Sequence, residues 1–138
     1  MLLLALLGIA ALQPAAAAMS GTWEAEYRGT TFVRLELKAV DNTLAGTIRT
    51  GNVHVDGNGG LTEVTAVPMA PTPLYNVVVK GQSVTFMRPE GTDAEHFRFT
   101  VLGADQAELL FLPSDEDLEE LKEAGIPVPK PFRLHKIR

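Results

Sequence analysis

The chain predicts an all-β fold, an antiparallel up-and-down barrel of about eight strands with one short helix before the last strand. Three observations carry this. Apolar and polar residues alternate in short runs from Trp23 to Leu112. Turn-forming residues separate the runs at regular spacing. One acidic, amphipathic stretch at 115–124 interrupts the alternation just before a final apolar run. A β-sandwich produces the same alternation, so the pattern leaves barrel and sandwich both open.

The N-terminus comes first. Met1 to Ala18 hold no charged side chain, and Leu2 to Leu12 are apolar apart from Gly8. Pro14 ends any helix, and Ala16-Ala17-Ala18 gives the small-x-small pattern that signal peptidase accepts. The apolar run falls short of the roughly 20 residues needed to cross a ~30 Å hydrocarbon core. Residues 1–18 are therefore expected to be a signal peptide, and 19–138 an exported domain of the periplasm or the space outside the cell. One domain with one core fits that length.

The strands follow in order. Trp23, Ala25 and Tyr27 share one face and Glu24, Glu26 and Arg28 the other, the period of a half-buried strand. After Gly29-Thr30-Thr31, residues Val33, Leu35, Leu37 and Ala39 alternate with Arg34, Glu36 and Lys38. Asp41-Asn42 marks a tight turn, and Leu44, Gly46 and Ile48 return on one face. Gly46 on an inward face predicts a bulge or a close backbone approach. Gly51 to Gly60 holds four glycines and reads as a flexible loop or long turn, with a short strand at Leu61 to Val67. Pro68, Pro71 and Pro73 impose an extended connection that is not a central strand. A hairpin spans Leu74–Val79 and Ser83–Arg88, then Phe97, Phe99 and Val101 alternate with polar residues, and Ala107 to Leu112 adds another strand. Ser114 caps a helix at 115–124, with Asp115, Glu116 and Asp117 at its positive end and Gly125 in the C′ position. Pro127, Pro129 and Pro131 lead stiffly into a last strand, Phe132 to Arg138.

The charge balance narrows the function classes. Twelve basic residues face 17 acidic ones, a net charge of −5, with no basic cluster. That argues against nucleic acid and against anionic membrane surfaces. The chain has no cysteine, which removes disulfides, thiol chemistry and zinc–thiolate sites.

Gly21-Thr22-Trp23 on the first strand resembles the lipocalin opening motif. The resemblance implies that Trp23 packs across the closed end of the barrel under a basic side chain from the last strand. Arg133, Lys136 and Arg138 are the candidates, with Arg138 assigned beside Gly21 and Trp23. A helix before the last strand is also lipocalin-like, and the whole looks most similar to short bacterial exported proteins that open Ser-Gly-Thr-Trp. The stretch Ser20 to Thr47 is also similar to the first three strands of avidin. Avidin-type biotin pockets are walled by several tryptophans, whereas this chain has one.

Candidate chemistry is sparse. His54 lies near Asp56 in the Gly-rich loop without the further ligands a metal needs. His96 and His135 sit on strands beside basic residues and are expected outside. Glu24 and Glu26 share a face with Arg28 and read as a solvated outer face. Ser20, Ser83 and Ser114 lack nucleophile-elbow glycines, Asp115 to Glu120 lacks calcium-loop spacing, and Gly57 to Gly60 reads as a hairpin end. No catalytic residue, metal or cofactor is assigned.

The expected inward set is apolar: Val33, Leu35, Leu37, Ile48, Val77, Val79, Val84, Phe86, Phe97, Phe99, Leu109 and Phe111, with no buried charge. An eight-stranded barrel either fills with side chains or holds one small ligand. The leading expectation is a non-catalytic exported protein that binds a small hydrophobic molecule through Leu35, Leu37, Ile48, Phe86, Phe97, Phe99 and Phe111. The alternative is an interaction module with a filled core that binds a partner protein.

Overall fold

The computed structural model describes residues 16–138. Residues 1–15 of the expected leader lie outside the described residues. The described residues give β1 (Gly21–Tyr27), β2 (Thr30–Val40), β3 (Thr43–Thr50), β4 (Val53–Val55), β5 (Leu61–Val64), β6 (Thr72–Pro73), β7 (Tyr75–Lys80), β8 (Ser83–Glu90), β9 (Asp93–Val101), β10 (Gln106–Phe111), α1 (Asp115–Ala124) and β11 (Phe132–Ile137). A helical turn at 16–19 precedes β1.

Nine strands form one antiparallel sheet in the order β6-β3-β2-β1-β11-β10-β9-β8-β7, and β4 pairs with β5 apart from it. The two ends of the sheet approach each other along β3 and β7, so it curls into a nearly closed barrel. Nine strands correct the expected eight or so. The extra strand is β6, where Pro73 and Thr72 pair with Thr47 and Ile48 of β3. Prolines were expected to keep this connection out of a central strand, and β6 is indeed the sheet's edge, where a missing N–H breaks no ladder. Leu74 alone separates β6 from β7, and its N–H donates to the Gly46 carbonyl at 3.0 Å. The segment 72–80 therefore supplies both edge strands of the sheet and narrows the seam.

Close packing of β2 on β3 explains Gly46. A methyl group there would sit 2.0 Å from the Glu36 carbonyl oxygen, so no larger residue fits the pair. A bulge lies between β1 and β2: Ala25 pairs with Val33 and Glu26 with Thr31, leaving Phe32 as the extra residue. Phe32 and Val33 are consequently both buried.

The inward alternation is as read from the sequence. Val33, Leu35, Leu37, Ile48, Val84, Phe86, Phe97, Phe99 and Leu109 are buried, with Trp23, Ala107 and Leu134. Val77, Val79 and Phe111 are half-buried against them. Each fully buried large side chain contributes about 1.5–3 kcal/mol, and without cysteines this core alone holds the barrel.

The helix forms where its caps predict. The Ser114 hydroxyl accepts from the Asp117 N–H at 3.1 Å, and Gly125 ends α1 at φ 70° with its N–H on the Lys122 carbonyl. The helix buries no residue fully, and Leu118 and Leu121 are half-buried. The strand order also sorts the connections. Tight turns at Asp41–Asn42 and Gly81–Gln82 lie at one end, with the 16–19 turn. The longer excursions, the β4–β5 hairpin and the α1–proline segment, lie at the other.

Candidate functional site

At the end that carries the 16–19 turn the barrel is shut. The Trp23 indole N–H donates to the Met19 carbonyl at 2.9 Å, and Met19 is fully buried. Phe99 meets the indole edge-on at 5.1 Å. Lys136 pairs with Trp23 across β1 and β11 and places its Nζ 5.4 Å from the ring centroid. The basic side chain over Trp23 is therefore Lys136. Arg138 reaches outward instead and forms an ion pair with Asp105. Register decides this, because Trp23 and Lys136 are direct cross-strand partners on the inward face. Gly21 clears the way: a methyl group there would lie 2.6 Å from Lys136 Cε, and its φ of 132° suits glycine.

The other end is open, and a cavity of about 950 Å³ occupies it. Val33, Ile48, Phe97, Leu109 and Phe111 line it from the barrel wall, with Phe32 and Phe132 beside them. Phe97 and Phe111 meet edge-on at 5.8 Å, and Phe32 and Phe132 at 5.2 Å. The β4–β5 hairpin, Leu121 of α1 and the proline segment from Ile126 to Pro131 complete the mouth. Of the seven residues expected to hold a ligand, Ile48, Phe97 and Phe111 border this cavity. Leu35, Leu37, Phe86 and Phe99 do not line it and pack instead in the buried core.

The interior also holds charge, which corrects the expected purely apolar inward face. Arg88 continues the inward alternation of Val84 and Phe86, and Glu95 that of Phe97 and Phe99. The two are cross-strand partners. Arg88 donates from Nε and Nη2 to Glu95 Oε1 and from Nη1 to Thr50 Oγ1 at 2.7 Å. Its guanidinium lies 5.3 Å from the Phe97 ring centroid. The side chains are 14% and 19% exposed, so the pair sits at the rim of the cavity, sheltered but not sealed. Charge is tolerated inside because each group finds a partner. The signal was present in the sequence, since both residues fall in phase with inward phenylalanines, but charged side chains at strand ends usually read as solvated.

A second correction concerns the outer face. Glu24 is buried, not solvated, and its Oε2 accepts from Arg34 Nε at 2.5 Å. His135 stands opposite Glu24 on β11, and ligand atoms of Glu24, Glu26 and His135 lie within 4.8 Å of one another. Two carboxylates and an imidazole form a donor set that divalent cations accept, but any cation here competes with Arg34 for Glu24. His54 and His96 are exposed. Asp56 is engaged in the β4–β5 turn, where it accepts from the N–H groups of Asn58 and Gly60, both at 2.9 Å. Among the described residues no helix is long and apolar enough to cross a membrane. No protein-family model, curated protein or solved structure matches this chain.

Proposed function

We propose that this protein is an exported, non-catalytic, lipocalin-like carrier that holds a small hydrophobic molecule in the open end of its barrel. The observation that carries the reading is the open-end cavity of about 950 Å³, walled mainly by phenylalanine and aliphatic side chains, with polar and charged residues among its lining. Eight- to nine-stranded barrels are wide enough for one small ligand. The long connections cluster around the mouth, where a carrier sets its selectivity.

The full packing of Leu35, Leu37, Phe86 and Phe99 favours a second reading, an interaction module that uses the same loops on a partner protein. Native mass spectrometry separates the two. The full chain is expressed with export and recovered without detergent. The carrier reading predicts a mass excess that disappears on denaturation, or one that appears on adding lipophiles. A bare mass from several hosts and with every added lipophile would contradict it and favour the interaction module.

A further inference from the structure

We propose that the ligand is a compact, ring-bearing organic acid whose carboxylate is held by Arg88. The inference rests on the carrier reading above and narrows it. Size comes from the floor. Leu35, Phe86 and Phe99 are fully buried beneath the cavity, so no tunnel runs down the barrel to accept a long chain.

Shape comes from the wall. Phe32, Phe97, Phe111 and Phe132 border the space in two edge-to-face pairs; Phe32 and Phe97 are buried, and the half-buried Phe111 and Phe132 offer the ring surface that suits a further ring. The head group comes from Arg88. A guanidinium carries five N–H donors. Three of them bond to Glu95 and Thr50, and the other two have no protein partner among the described residues. The side chain is only 14% exposed, and Arg88 borders the cavity at its rim. A sheltered donor calls for an acceptor, and a carboxylate satisfies two guanidinium N–H groups at once.

Of the other charged residues of the lining, Arg49 pairs with Glu36 at 3.9 Å and Lys130 acts on the Asp56 carboxylate, which leaves Arg133 and Glu26 in balance, so the preference for an acid rests on Arg88.

The test is displacement of 8-anilinonaphthalene-1-sulfonate, followed by its fluorescence. The competitors are 2-naphthoate, 2-naphthalenemethanol and hexadecanoate, against the wild-type protein and the charge-balanced double variant Arg88→Gln/Glu95→Gln. Removing both charges leaves no unpaired carboxylate behind. The naphthoate is expected to compete about tenfold more strongly than the alcohol, a gap that one charge-assisted pair supplies. It should also outcompete hexadecanoate, and the double variant should lose the preference for acid over alcohol while still binding the alcohol. Equal competition by the alcohol, or stronger competition by hexadecanoate, would overturn the proposal and leave the carrier reading standing. Failure of the dye and all three competitors to bind would overturn both.

Discussion

Lys136 and Arg138 lie two residues apart on the last strand and do different work. Lys136 covers Trp23, a contact of about 0.5–2 kcal/mol depending on how dry it is. Arg138 is 75% exposed and pairs with an exposed Asp105, an arrangement typically worth about 0–1 kcal/mol. Lys136→Ala is therefore expected to lower stability by about 1 kcal/mol, and Arg138→Ala by less than about 0.5 kcal/mol. Urea unfolding of the two variants checks the order, and a larger loss from Arg138→Ala would contradict the assignment. The sequence marked Trp23 and the basic last strand but not which cation faces inward. That depends on the β1–β11 register, which joins residues more than 100 positions apart and leaves no local trace. Arg88 and Glu95 are the converse case. Their phase was legible, but their partner Thr50 comes from β3, so the reason they are tolerated inside was not.

Among the elements, α1 was legible to its ends because capping chemistry is local: Ser114, the acidic first turn and Gly125 all act within a few residues. The Gly-rich stretch was less so. It was expected to be loop, yet Val53–Val55 forms β4 and pairs with β5. Three residues are too few for a period to show. Asp56 organises the tip of this hairpin. The backbone N–H of Gly60, then that of Asn58, hold its carboxyl below the usual carboxylate range, with Lys130 adding to the effect. A folded value below the unfolded one means the carboxylate supports the turn at neutral pH. That support is lost only as pH falls through the folded value. In an acid titration followed by NMR, the Asn58 and Gly60 amide shifts should hold through the usual carboxylate range and move below it. In Asp56→Ala that transition should be absent. A midpoint at or above the ordinary aspartate value would contradict this account of the tip.

At the scale of the whole molecule, alternation and turn spacing gave an antiparallel all-β chain, and the structure closes it into a near-complete barrel. Alternation identifies which side chains face inward. It does not reveal how far along the barrel they are packed, because filling depends on which strands face one another across the interior. The expected ligand set therefore mixed two halves. Phe97, Phe111 and Ile48 reach the cavity, whereas Leu35, Leu37, Phe86 and Phe99 fill the barrel below it. A charge at Leu37 or Phe99 should consequently unfold the protein, not silence binding alone, since both are buried in a close-packed core.

As a carrier, the barrel binds in its open half only. Methyl NMR during titration with 8-anilinonaphthalene-1-sulfonate tests this. Shifts are expected for Val33, Ile48 and Leu109, which line the cavity, and none for Leu37, Leu44 and Val84, which do not. Shifts concentrated at Leu37, Leu44 and Val84, or no methyl shift at all, would contradict it.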